Sequence, residues 1–139
     1  MPETPNPGQP LPALSPAEWD TMEVLWTRGA LAARDVHAAV GPGRDWTIQT
    51  VKTLLSRLVA KGALDYEQVG NSYLYRPAVR REQLARAESE EFLGRVFRGE
   101  ALPAIATFIE SGKLDRSEIQ RLRGLLDELE ESAREERQP

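Results

Sequence analysis

The side chains best suited to chemistry in this sequence are the basic and polar ones between residues 44 and 81. This segment carries 7 Lys and Arg against 3 Asp and Glu, in a chain whose formal net charge is −4. A polyanion responds to the local field within about 10 Å at physiological salt rather than to the charge of the whole chain. The pattern therefore favours a phosphate-binding surface, with an ordinary solvated basic patch as the alternative.

The residues needed for most catalytic or metal chemistry are missing. The chain has no cysteine and a single histidine, His37, which argues against disulfides, thiolate or histidine metal sites and a histidine-dependent triad. We expect His37 to face solvent. The acidic residues Asp127 and Glu130 lie at helical spacing from Arg123 and Arg134, which is typical of a solvated, ion-paired helix face. With no glycine-rich phosphate loop or nucleophile elbow, we expect no enzyme activity, no cofactor and no metal.

Two helices are predicted at the start of the folded region. The run Ser15-Pro16-Ala17-Glu18 contains a cap, a proline suited to the first helical position and a carboxylate that can reach back to the cap. A helix is therefore expected to run to about Thr27 and to end at Gly29. A second short helix follows Leu31, with Gly41-Pro42-Gly43 as its terminator.

A third helix is predicted over residues 47–61, capped by Thr47 and ended by Gly62 in the left-handed conformation. Its apolar residues recur at helical spacing and form a single stripe. The opposite side carries polar residues, flanked by Lys52 and Arg57. This helix therefore has one face for a core and one face for a ligand.

A hairpin follows the third helix. Residues 64–68 and 73–76 alternate β-formers with polar residues, and Gly70-Asn71-Ser72 between them tolerates positive φ. The predicted order of elements, two helices, a capped third helix and a hairpin, is that of a winged helix-turn-helix. The expected fold class is therefore mainly α with a small β-hairpin, as a winged helix-turn-helix plus a C-terminal helical region. The third helix of such a domain enters the major groove of double-stranded DNA.

The predicted DNA-binding residues fall into two groups. Gln49, Thr53 and Ser56 lie on the outer face of the third helix, where side chains reach base edges. Phosphate contacts are expected from the basic side chains, the start of the helix and the hairpin or wing; these residues are Thr47, Thr50, Lys52, Arg57, Lys61, Asn71 with its neighbour Ser72, and Arg76. The alternative function is a winged-helix module that binds a protein and no DNA.

The domain organisation predicted from the sequence has three parts. Residues 1–14 form a disordered, Pro-rich tail, residues 15–80 the DNA-binding domain, and residues 81–134 a helical dimerisation domain. The last part contains three helices with one apolar stripe each, and a unit of about 60 residues buries too little surface to be stable alone. We therefore expect a homodimer. No run approaches the roughly 20 apolar residues that span a bilayer, so a cytoplasmic location without membrane association is expected.

The sequence resembles the penicillinase-repressor family, which comprises the BlaI, MecI and CopY repressors, over about residues 15–130. The stretches that carry the resemblance are Ala17-Glu18-Trp19, Met22, Leu25-Trp26, Asp35-Val36, Trp46-Thr47, residues 50–55, Arg57-Leu58-Val59 and Lys61-Gly62. The resemblance implies a winged-helix dimer that binds a palindromic operator and blocks transcription. In the β-lactam-responsive members, a membrane sensor-protease system triggers proteolytic inactivation within the dimerisation domain.

The sequence departs from the family pattern at three points. The copper-sensing members carry a cysteine cluster, which is absent here. The cleaved Asn-Phe bond of the antibiotic-responsive members aligns with Thr107-Phe108, which makes this pair the candidate cleavage site for a regulatory protease. The cap of the second helix, often Thr in the family, aligns with Ala32, which is expected to weaken that helix by about 1 kcal/mol.

Overall fold

The computed structural model describes residues 12–40 and 43–137. Six helices and three strands follow one another along these residues: α1 (Pro16–Arg28), β1 (Leu31–Ala32), α2 (Ala33–Val40), α3 (Ile48–Ala60), β2 (Leu64–Val69), β3 (Ser72–Pro77), α4 (Arg81–Phe97), α5 (Ala101–Glu110) and α6 (Arg116–Arg137). The chain divides into two compact units, with the boundary between Glu91 and Phe92. Residues 1–11 of the predicted tail, and Gly41 and Pro42 of the predicted terminator, lie outside the described residues.

The predicted capping box at the start of α1 is confirmed. The Glu18 N–H donates to Ser15 Oγ at 3.2 Å, and the Ser15 N–H donates to Glu18 Oε1 at 2.9 Å. At the other end, Gly29 has φ 88° and its N–H donates to the Leu25 carbonyl. Local sequence therefore determines both ends of this helix.

The predicted hairpin is also confirmed, and it belongs to a larger sheet. Strands β2 and β3 are antiparallel from Leu64↔Pro77 to Val69↔Ser72, which leaves Gly70 and Asn71 as a two-residue turn. The third strand, β1, pairs antiparallel with the other edge of β3, so the order is β1-β3-β2. The sequence predicts that Leu31 leads directly into the second helix, and it predicts no strand here. A strand of two residues is too short to show an alternating pattern.

The core of the first unit is built from the apolar stripes of α1, α2 and α3 together with β2. Its most buried members are Met22, Leu25, Val36, Val51, Leu55, Leu58 and Leu64. Leu84 of α4 and Leu14, which precedes α1, are buried in the same cluster. The first compact unit therefore extends beyond residue 80, where the sequence placed the end of the DNA-binding domain, because the first half of α4 packs on its core.

Backbone and side-chain hydrogen bonds hold the residues before α1 in place. The Leu14 N–H donates to Glu88 Oε1 of α4 at 2.7 Å, and the Ala13 carbonyl accepts from Lys61 Nζ at 3.0 Å. Further along α1, Trp26 Nε1 donates to the Val79 carbonyl and Arg81 pairs with Glu23. These contacts tie α1 to the chain that leads into α4.

Among the helices that the structure describes, none is both long enough and apolar enough to cross a bilayer.

Candidate nucleic-acid interface

Helix α3 presents its predicted contact residues on one exposed side. Thr47 caps the helix by accepting from the Thr50 N–H at 3.1 Å, and Gly62 just beyond its end has φ 83°, as predicted. The apolar stripe is buried, and the remaining positions of the helix are exposed; the exposed contact residues are Gln49, Thr50, Lys52, Thr53, Ser56 and Arg57. At roughly 100° per residue these six positions span less than half of the helix circumference.

The threonine hydroxyls of this face are already held by the helix itself. Thr53 Oγ1 donates to the Gln49 carbonyl at 3.0 Å, and Thr47 Oγ1 lies 3.1 Å from Thr50 Oγ1. Thr53 therefore offers an oxygen lone pair and a methyl group to a ligand. Gln49 offers an amide with both a donor and an acceptor, which suits the paired groups of a base edge.

Two cations on α3 are available to an anionic ligand. Within residues 12–40 and 43–137, neither Lys52 nor Arg57 takes part in an ion pair. Arg44, by contrast, pairs with Asp20 and lies 5.0 Å from the Trp46 ring centroid. Positive charge that is free to meet phosphates is therefore present on the exposed side of α3.

Lys61 does not belong with the other predicted contacts. Its Nζ lies 2.7 Å from Glu18 Oε1, and Glu18 is only 3% exposed. Burial on its own would raise the pKa of Glu18, but the hydrogen bonds from Lys61 and Ser15 outweigh it and hold this pKa below its usual value. The lysine joins the end of α3 to the start of α1, so its charge is already paired within the protein.

The tip of the wing is more accessible to a ligand than its base. Asn71 and Ser72 are exposed at the turn of the hairpin. Arg76 lies opposite Asp65 in the ladder and shares its charge with Glu67, 3.8 Å away. A phosphate at the tip would meet an amide, a hydroxyl and backbone N–H groups, while Arg76 lies at a greater distance from the tip.

A groove of about 450 Å³ lies between α3, the start of α2 and the wing. Its lining includes Lys52, Ser56 and Asn71, which the sequence predicted, together with Arg34 and Tyr73, which it missed. Strand β1 runs into α2 and pairs with the same strand that carries Tyr73, so the sheet brings Arg34 to the groove. No pattern in the sequence predicts a two-residue strand, and Arg34 was therefore not predicted to line this groove.

The expectation that His37 faces solvent was wrong. The ring is half-buried, and Nε2 lies 2.7 Å from the Trp46 carbonyl. Since a carbonyl only accepts, Nε2 carries the proton and donates. His37 therefore joins α2 to the segment that leads into α3.

Most of the chain is similar in sequence to known proteins. Residues 14–128 match the family described as penicillinase repressor. The chain is 29% identical to the penicillinase repressor of Bacillus licheniformis over 118 residues, which is 85% of this chain and 92% of that protein. It is 28% identical to the methicillin resistance regulatory protein MecI of Mammaliicoccus sciuri over 82% of this chain and 93% of that protein.

A solved structure is also similar to part of the chain. The solution structure of monomeric BlaI from Bacillus licheniformis with the blaP half-operator is 29% identical, with a TM-score of 0.47, over 52% of this chain and 89% of that chain. The family match itself covers more than half of the sequence and includes α3, the wing, α4, α5 and the first half of α6. The chain therefore belongs to the penicillinase repressor family.

Proposed function

We propose that this family member is a transcriptional repressor that binds double-stranded DNA by placing α3 in the major groove. The observation that carries the proposal is the two-faced character of α3, whose apolar stripe is buried and whose polar side is exposed. A B-DNA major groove is about 12 Å wide and admits one helix. In this position Gln49, Thr53 and Ser56 read base edges, and Lys52 and Arg57 contact phosphates.

The composition of this surface favours DNA over a protein partner. A protein-binding surface is usually anchored by exposed aromatic or aliphatic side chains. On α3 the large exposed apolar residue is Ile48, which is 38% exposed. The other exposed positions are polar or basic, apart from the small Ala60. A winged-helix module that binds only protein is the alternative, and it is favoured if the chain selects no fragment from a genomic DNA library.

We further propose that the repressor acts as a homodimer on a palindromic operator. The second unit exposes many large apolar side chains; they are Phe92, Val96, Leu102, Ile105, Phe108, Ile109, Ile119, Leu125, Leu126 and Leu129. Helix α6 has no buried residue at all within one chain. Monomeric proteins rarely expose apolar surface on this scale. A second copy of the chain carries the same apolar surface, so the two surfaces can bury each other. A two-fold axis then presents two α3 helices to two half-sites.

Arg57→Ala tests the contact with DNA. We expect about tenfold weaker binding to a selected palindromic duplex at low salt, because one charge-assisted bond to a phosphate is lost. The slope of log K against log salt should fall by about 0.9. Arg137→Ala, which removes the same charge from the last turn of α6, is the matched control and should leave both quantities unchanged. Full affinity with the original slope in Arg57→Ala would contradict this role.

For release from DNA, we propose cleavage between Thr107 and Phe108 by a regulatory protease. Both residues lie in α5, where Phe108 is 56% exposed and Thr107 Oγ1 donates to the Pro103 carbonyl at 2.8 Å. Helix α5 begins without a side-chain cap at Glu100, so its first turn lacks a contribution of about 1 kcal/mol. A protease needs extended backbone, and a weakly capped helix unwinds at lower cost.

Mass spectrometry of the repressor recovered from derepressed cells tests this cleavage. We expect a fragment that ends at Thr107, in an amount that follows the loss of repression. A Thr107→Lys variant, which changes the side chain before the scissile bond without breaking α5 as proline would, is expected to resist cleavage and to keep repression in place. Derepression with the chain intact would show that another signal releases the DNA.

A further inference from the structure

A pocket of about 330 Å³ lies between the second half of α3 and the sheet. Six residues line it: Ser56, Val59, Ala60, Tyr66, Tyr73 and Tyr75. Pockets that hold small organic molecules occupy about 300–1,000 Å³ and combine apolar walls with a few polar groups. The proposed reading of DNA uses only Ser56 among these residues. We call this site the tyrosine pocket.

Three tyrosines form one wall of the pocket. Tyr66 lies opposite Tyr75 in the ladder, and Tyr73 is two positions before Tyr75 on the same strand, so all three project from one face of the sheet. The rings of Tyr66 and Tyr73 meet edge to face with centroids 5.4 Å apart, and those of Tyr66 and Tyr75 are 6.1 Å apart. Such a wall suits a flat aromatic ring, which gains both burial and ring contacts.

The surroundings of Tyr75 are apolar enough to keep its phenol neutral. Burial raises the pKa of Tyr75, and the neighbouring Tyr73 and Tyr66 raise it further. At neutral pH the Tyr75 phenol therefore carries no negative charge that would repel an anion. The hydroxyl groups of the wall can donate hydrogen bonds to an oxygen-bearing ligand.

Positive charge is found where the pocket opens into the groove described above. The two hollows share Ser56, Tyr73 and Tyr75, and the groove is also lined by Lys52 and Arg34. Among the residues that the structure describes, no Asp or Glu lines either hollow. An occupant with an aromatic body in the pocket and an anionic group toward Lys52 satisfies both regions.

We propose that the tyrosine pocket binds a small aromatic carboxylate and that the bound ligand weakens the binding of α3 to DNA. The first half of this proposal stands on the pocket alone, and the second half rests on the proposed function. A carboxylate paired with Lys52 neutralises a cation that otherwise meets a phosphate. A ring against Ser56 also covers part of the base-reading side of α3. The ligand is thus a direct competitor of the operator.

Titration of the full chain with 2-naphthoate, in the absence of DNA, tests the pocket through naphthyl fluorescence. We expect saturable binding that weakens at least tenfold in Ala60→Phe, which fills the pocket from α3. Lys52→Gln should weaken 2-naphthoate about tenfold and leave the uncharged 2-naphthamide unchanged. Circular dichroism of both variants checks that they remain folded. Absence of saturable binding, or an affinity for 2-naphthoate in Ala60→Phe equal to that of the wild type, overturns the proposal that this pocket binds the ligand.

The competition with DNA is measured separately. Saturating 2-naphthoate should weaken binding to a selected duplex at least tenfold in the wild type and have no effect in Ala60→Phe. Saturable naphthoate binding that leaves the affinity for DNA unchanged overturns the regulatory half. If no duplex binds under any condition, the proposed function fails, whereas the fluorescence titration still decides whether the pocket takes an aromatic anion.

Discussion

Replacing Leu126 of α6 by glutamate is expected to convert the repressor into a monomer and to reduce its affinity for a full palindrome by 100-fold or more. Leu126 is 51% exposed in a single chain and lies on the stripe formed by Ile119, Leu122 and Leu129. A carboxylate in the centre of a dimer contact would be buried without a partner, which costs several kcal/mol. Loss of the second recognition helix then removes the advantage of two linked half-sites, about 10²–10⁴ in affinity.

Light scattering gives the mass of the variant in solution, and DNA binding is compared on full and half palindromes. Affinity for a half-site should be nearly the same in Leu126→Glu and the wild type, because α3 and the wing are untouched. Gln120→Glu, which adds the same charge to the opposite side of α6, is the matched control and should remain a dimer. A dimeric Leu126→Glu with full affinity for the palindrome would refute the assignment of this surface.

Replacing Lys61 by methionine is expected to lower the free energy of unfolding by about 3 kcal/mol at pH 7. The change leaves the buried Glu18 carboxylate without its cation, and breaking a buried pair in this way costs about 3–5 kcal/mol. We expect the lower end because Lys61 itself is 30% exposed. One oxygen, Glu18 Oε2, already lacks a hydrogen-bond partner among the described residues. Few other polar groups are therefore in place to stabilise the carboxylate once the lysine is gone.

The effect of Lys61→Met should depend on pH in a defined direction. The folded protein holds the pKa of Glu18 below its ordinary value, so the pair contributes its full stability above the ordinary pKa of about 4.3. That contribution is lost as the pH falls through the lowered pKa of the folded state. The difference between the wild type and Lys61→Met is therefore expected to shrink in acid.

Urea unfolding between pH 7 and pH 3 measures this difference. Lys52→Met removes a lysine from an exposed position of the same helix, and such surface changes usually stay within about 0.5 kcal/mol. A pH-independent difference for Lys61→Met would show that the ion pair is not its cause. A difference no larger than that of Lys52→Met would show that Glu18 is adequately solvated without the lysine.

Features that depend on neighbouring residues could be predicted from the sequence. The Ser15 and Glu18 capping box, the Thr47 cap and the left-handed Gly62 each involve groups within a few positions of one another. The polar face of α3 follows equally directly from helical periodicity, which is why most of the proposed contact residues are exposed together. Local chemistry in these segments agrees with the final fold, so reasoning from the residues succeeds.

Features that depend on distant residues could not be predicted in this way. Lys61 bonds to Glu18 across 43 positions, and no property of Lys61 distinguishes it beforehand from a phosphate-binding lysine. His37 was misplaced for the same reason, since its partner is a backbone carbonyl that any residue could supply. Strand β1 exists because β3 offers it a free edge, and Leu84 belongs to the first core because α4 returns to it.

The hydrogen bond between Leu14 and Glu88 has a consequence for synthesis on the ribosome. The two residues are 74 positions apart, and translation at about 5–20 residues per second separates them by roughly 4–15 s. Until α4 emerges, the Leu14 N–H lacks its carboxylate partner and the core lacks Leu84. The nascent winged helix therefore remains incomplete for seconds after α3 has been made, and its apolar surface is open to chaperones during that interval.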